Sequence, residues 1–240
     1  MRVTIRFLSA WGCLSLLLSC VDSPPQAPNQ PGNRDSLEGY ADAAVSRYSH
    51  SGDTLRARTL LDSAQVLASE ANYPDALALV QEALTVYLDA VGENDPLTAQ
   101  AYLLAGKIYI LLDQQPALAL QAVERGMEIL RITLGEDHMK YADALNLRGI
   151  MARRSGQDSL ALYYFRQSLS ILETKSNVAT FRLANMYNNL SIVFWDQQRV
   201  DSAFLYIRKG IRLHQSSPEK DSHNALNLAN SYNTLSITFA

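Results

Sequence analysis

The chain of 240 residues is 48% hydrophobic and 19% charged, apolar enough to bury the core of one or two globular domains. A formal charge of −3 is too small for net charge alone to draw the protein to nucleic acid or an anionic surface. With only Cys13 and Cys20 present, a disulfide-rich scaffold is excluded.

The chain opens on Arg2 and Arg6 followed by an apolar stretch, FLSAWGCLSLLL, at residues 7–18. Its length falls short of the roughly 20 residues that span a bilayer, but fits the core of a secretory signal. The stretch closes on LLSC, residues 17–20, which resembles the lipobox of bacterial lipoproteins. Leu17, Ser19 and Cys20 match that pattern, while Leu18 is bulkier than the usual small residue. The resemblance implies that residues 1–19 are a signal peptide and that Cys20 becomes a lipid-modified N-terminus. Acyl chains, at about 0.8 kcal/mol for each buried CH₂, would then hold the protein on a membrane. An ordinary signal peptide with an incidental cysteine, or an uncleaved anchor, is the alternative. Cleavage would leave no thiol and 19 basic residues against 24 acidic, a net charge of −5. The aspartate that retains such proteins at the inner membrane is not next to Cys20, where Val21 stands, so in a cell with two membranes the outer one is expected, in either leaflet.

Residues 20–36 contain four of the eight prolines and little apolar content, as expected of an extended polar tether. A lead helix is expected within residues 37–52, over about 37–48, broken by His50, Ser51 and Gly52.

From residue 53 the sequence repeats itself. YNNLSIVF (187–194) returns as YNTLSITF (232–239), with a weaker copy at 144–156. Small residues mark one register at Ala64, Gly106, Gly149, Ser191 and Ser236, spaced by 42, 43, 42 and 45. Ala76, Ala119, Ala161 and Ala203 mark a second, each followed four residues on by Val80, Val123, Phe165 or Ile207 and seven on by Ala83, Gly126, Ser168 or Gly210. A small residue opposite a large one lets two helices approach closely, and a period of this size signals a solenoid.

These marks resemble the tetratricopeptide repeat, with the longer period and the GENDP and GEDHM connections (92–96 and 135–139) of kinesin-light-chain-type repeats. Tyr109, Phe194 and Phe239 fill the aromatic place of the first helix, which Leu67 and Ala152 do not. Gly156 supplies the turn glycine, absent at Ala71 and Gln198, and Arg148 stands where a leucine is expected. The resemblance implies an all-α, right-handed α-solenoid of antiparallel helix pairs over 53–240. Helix pairs are expected at about 53–90, 96–134, 138–174 and 177–215, in repeats at 53–95, 96–137, 138–176 and 177–222. A half repeat, 223–240, ends on YNTLSITFA. It has the register of a first helix without its second, so either this helix is itself a poor cap or, as is expected here, the chain continues in the natural protein. Asp95 and Pro96 have the character of a helix N-cap and first-turn pair.

The residues give no sign of catalysis. No HExxH, paired CxxC, phosphate-cradling loop or G-x-S-x-G occurs. Glu136, Asp137 and His138 form the one cluster of metal-binding character, but in a connection where the family uses histidine for the turn. No cofactor, metal, nucleic acid or small-molecule substrate is expected.

Asn146, Asn188 and Asn233 stand three residues before the small mark of successive first helices. In the family those helices line the concave face, so the amides are read as a ladder for an extended peptide, broken by Leu61 and Leu103. Each hydrogen bond contributes only about 0.5–1.5 kcal/mol, so pockets beside Ile150, Ile192 and Ile237, with Arg153, Arg154 and Trp195 a turn further on, would supply the rest. The alternative is that the amides bridge neighbouring helices. No lysine occupies the ladder position, which argues against a chaperone-tail clamp. The expected function is a lipid-anchored, non-enzymatic scaffold or assembly factor of the bacterial envelope. The rival is the N-terminal sensor or adaptor region of a longer signalling protein, a histidine kinase or caspase-like protease, and an inert spacer is the plainest reading.

Overall fold

The computed structural model describes residues 52–113, 115–176 and 178–216. The signal, tether and lead-helix expectations, and those for the half repeat with Asn233 and Ile237, lie outside the described residues. Within them the chain is all helix: α1 (Gly52–Ser69), α2 (Tyr73–Ala90), α3 (Pro96–Leu112), α4 (Pro116–Thr133), α5 (Met139–Arg154), α6 (Asp158–Glu173), α7 (Thr180–Asp196) and α8 (Val200–Ser216). They pack as consecutive pairs, α1 with α2 through α7 with α8, and each second helix also packs on the first helix of the next pair. The first helices α1, α3, α5 and α7 touch one another in order and form one layer of an α-solenoid.

Pairing follows from the small residues. A Cβ on Gly106 would lie 2.5 Å from Val123, and one on Gly149 would overlap the Phe165 ring. Val123, Phe165, Phe194 and Ile207 are almost fully buried, so the marks read as core are core. Burial of each phenylalanine is worth about 3–5 kcal/mol against alanine.

Turn chemistry sets the helix ends. Asp95 caps α3 by accepting from the Leu97 N–H at 2.8 Å, with Pro96 in the first turn. His138 caps α5, its Nδ1 accepting from Lys140 N–H at 3.1 Å. Gly92 and Gly135 take φ of 87° and 86° in the connections between pairs. Inside the pairs Gly156 is left-handed at φ 69°, and so are Ala71, Asp113 and Gln198, at 62°, 55° and 59°. The turn keeps one shape whether or not glycine fills it.

Arg148 does not open the core. Its guanidinium carbon sits 5.3 Å from the centre of the Tyr164 ring, and its Nη2 lies 3.3 Å from both the Tyr164 hydroxyl and the Glu124 carboxylate. The stem lies along apolar surface while the charge finds partners at the rim. Tyr164 is half-buried and packs against the cores on both sides of it, joining one repeat to the next.

Candidate functional site: the first-helix layer

The candidate site spans α5 and α7, which lie side by side. Three polar links cross between them. Asn189 Nδ2 donates to Asn146 Oδ1 at 2.7 Å, Arg182 pairs with Asp143 at 3.2 Å, and Arg153 pairs with Asp196 at 3.4 Å. Arg154 reaches the other way, to Asp113 at the end of α3. Ile150, Ile192 and Trp195 are half-buried, leaving apolar surface between the polar links. Ile150 also packs against two core clusters and Trp195 against one, so neither is wholly free for a ligand.

The asparagines divide by what faces them. Asn146 and Asn188 share a register position, yet Asn146 is half-buried and Asn188 is only 8% exposed. Asn188 turns inward over Gly210 of α8, where an added Cβ would come within 2.7 Å of its Oδ1. Leu103 fills the equivalent space over Gly126. In the third pair Ser168 stands there instead, its hydroxyl donating to the Ala142 carbonyl at 2.7 Å, and Asn146 reaches across to α7. The open amide of α7 is therefore Asn189, the next residue along. Sequence reasoning passed over Asn189, Asp143 and Arg182. Their signal was available only by pairing one repeat against the next, since each meets its partner about one period away.

Charge in this layer is partly withdrawn from water. Burial raises the Asp143 carboxyl above the ordinary aspartate range, although Arg182, Lys140 and Lys107 pull it down. Burial likewise lowers the Lys140 ammonium, opposed by Asp95 and Asp143. The Arg182 and Asp143 side chains nevertheless remain 31% and 46% exposed, so solvent still screens their attraction.

No group of three or more His, Cys, Asp or Glu side chains among the described residues is arranged to hold a metal, and His138 is in use as a cap. Two cavities open on the second-helix side. One, of about 700 Å³, is lined by Glu136, Tyr141, Tyr163 and Arg166 among others, and the other, of about 310 Å³, by Glu124, Arg131, Arg148 and Tyr164 among others. Neither contains a residue of the amide row.

A tetratricopeptide repeat family model matches residues 55–132 and 110–174. The chain belongs to the tetratricopeptide repeat family. No curated protein matches it by sequence. Among solved structures, the tetratricopeptide array is similar to BtubC (BKLC) from P. vanneervenii, at 20% identity and a TM-score of 0.61, covering 85% of this chain and 84% of that one. It is also similar to a Podosopora anserina kinesin light chain with nearly identical TPR-like repeats, at 13% identity and a TM-score of 0.55, covering 77% of this chain and 89% of that one. The apo form of RapI matches at 16% identity and a TM-score of 0.56, over 85% of this chain and 60% of its own. At these identities the likeness is one of fold. Tetratricopeptide arrays are scaffolds for protein–protein contact.

Proposed function

We propose that this protein is a non-enzymatic scaffold, anchored through lipid on Cys20 to the bacterial envelope, that binds an extended peptide or protein segment on its first-helix layer. The observation that carries the reading is the Asn146–Asn189 amide pair set between half-exposed Ile150, Ile192 and Trp195. In this pair Asn146 keeps both amide N–H donors and one acceptor lone pair, and Asn189 keeps one donor and two lone pairs, which suits a peptide backbone. The flanking apolar side chains supply the area that hydrogen bonds alone do not. Anchoring rests on LLSC and on the proline-rich tether that follows it.

The test separates the two parts. Partners are captured from the native host with the wild type and with Asn146→Ala/Asn189→Ala, folding being checked by circular dichroism. Loss of specific partners from the folded variant is the expected result, and an unchanged set sinks the binding face. Radiolabelled palmitate incorporation, lost in Cys20→Ser, reads the anchor independently.

A further inference from the structure

The ion pairs of this array are unevenly placed. Every arginine or lysine ion pair among the described residues lies on α1 to α7 and their connections, and none involves Arg208, Lys209 or Arg212 of α8. These three cations stand on the exposed face of α8, against one exposed carboxylate, Asp201. Leu205 stands among them 55% exposed, and Val200 at the helix start is 42% exposed. Lys209 is held by its neighbours, its ammonium 5.4 Å and 5.6 Å from the ring centres of Tyr206 and Tyr187. Arg199, just before the helix, lies 4.6 Å from the centre of the Phe194 ring.

The opposite end of the array has the opposite sign. α2 exposes Asp75, Glu82 and Asp89 and contains no lysine or arginine. The small net charge of the chain therefore hides a polarity, acidic at the first pair and basic at the last. At physiological salt, charges beyond about 8 Å are largely screened, so an approaching surface reads the local patch and not the total.

The basic face is an outer one. Its counterparts on α6 are Tyr163, Arg166, Gln167 and Ser170, all exposed although α7 packs on α6. On α6, packing of the next first helix thus leaves this face open.

We propose that the outward face of α8 is a docking surface for an anionic membrane, with Arg208, Lys209 and Arg212 on lipid phosphates and Leu205 dipping between headgroups. The inference rests on the lipid-anchor reading, which keeps a bilayer within reach. Two features favour a bilayer over a small anion or an acidic peptide. The face surrounds the exposed Leu205 with its cations, pairing charge for lipid phosphates with an apolar side chain that a headgroup layer takes up more readily than water. Its acidic counterpart, on α2 in the first pair, would be repelled by the same surface, which orients the array.

The test uses the full chain in a Cys13→Ser background, with an environment-sensitive fluorophore on Leu205→Cys and, as control, on Gln81→Cys of α2. Vesicles are phosphatidylcholine alone or with about a third phosphatidylglycerol, each carrying a lipid-borne quencher. The expected result is quenching at 205 only with phosphatidylglycerol, none at 81, and loss of quenching at high salt. Arg208→Gln/Arg212→Gln should weaken contact by roughly 25-fold, about fivefold for each cation removed. Both sites are exposed, so the variant should fold as the wild type does. An unquenched label at 205 on protein that sediments with the vesicles overturns the proposal. So does equal quenching with neutral lipid, or a double variant that loses an acidic protein or DNA ligand while keeping lipid contact. Failure of the anchor is seen separately, as a second fluorophore on free Cys20 and no sedimentation with neutral vesicles. Sedimentation with phosphatidylglycerol vesicles then decides alone, and no difference between wild type and double variant ends the idea.

Discussion

Gly149 on α5 lies beneath the ring of Phe165 on α6, so close that an added Cβ would overlap the ring edge. Glycine in a helix interior ordinarily costs about 1 kcal/mol against alanine, yet here alanine has no room. Overpacking a filled core costs about 1–3 kcal/mol. Gly149→Ala should therefore lower stability by up to about 2 kcal/mol despite its better helix propensity. Phe165→Leu in the same chain should recover part of that loss, and a double-mutant cycle by urea denaturation reads the coupling. Additive effects would mean that the two helices are not held by this contact.

The left-handed turns make a prediction of opposite sign. Ala71 and Gln198 take φ of 62° and 59° without being glycine, at a cost of about 1 kcal/mol or more each. Part of the gain on replacement is lost to the greater freedom of glycine in the unfolded chain. Ala71→Gly and Gln198→Gly should each raise stability by about 0.5–1 kcal/mol, seen as a higher Tm. Asp113→Gly should not, because aspartate tolerates this conformation and Asp113 also holds Arg154.

The fold was legible because repetition multiplied a weak signal. One glycine–phenylalanine pair means little, but the same spacing at Ala64, Gly106, Gly149 and Ser191, and again at Ala76, Ala119, Ala161 and Ala203, fixed both helices of every described pair. The site was legible only in part. Reading Asn146 and Asn188 as one ladder assumed that equal register gives equal environment. It does not, because the residue across the pair is serine in one case and glycine in the other, and glycine leaves a space that Asn188 fills. Links such as Arg182 to Asp143 join residues 39 positions apart, and such pairs become visible only once the helices are laid side by side. Arg148 misled for a related reason, since a long side chain can pack its stem as leucine would and still reach a carboxylate.

This difference between the asparagines can be measured. Asn188 is buried against Gly210, so Asn188→Ala removes packing and should cost about 1–3 kcal/mol of stability while leaving partner capture intact once the variant is folded. Asn189 is half-buried, and its loss should leave Tm within a degree or two while weakening capture. Tm by scanning calorimetry and binding by pull-down should therefore rank the two variants in opposite orders. The same order on both assays would mean the amide row is structural throughout.

His138 acts as an acceptor at the start of α5. His138→Ala should cost about 1 kcal/mol, as other lost N-caps do. His138→Asp should retain most of the stability, since Asp95 performs the same task for α3. A metal-binding role would give the reverse pattern, with stability responding to chelators and aspartate failing to substitute.

Asp143 should leave a mark on the pH dependence of stability. Burial between α5 and α7 raises its carboxyl, and the nearby Arg182, Lys140 and Lys107 offset that only in part. A carboxyl whose folded value exceeds its unfolded one holds its proton more tightly in the folded protein. The stability tied to it is full below the ordinary aspartate value and is lost as pH rises through the raised one. Asp143→Asn stays neutral throughout, so it should match the wild type at low pH, where both side chains are uncharged, and become the more stable as pH climbs to neutrality. Urea denaturation of both proteins across that range checks this. A wild type that instead gains on the variant as pH rises would mean that attraction to Arg182 outweighs burial, and that the layer is wetter than its packing implies.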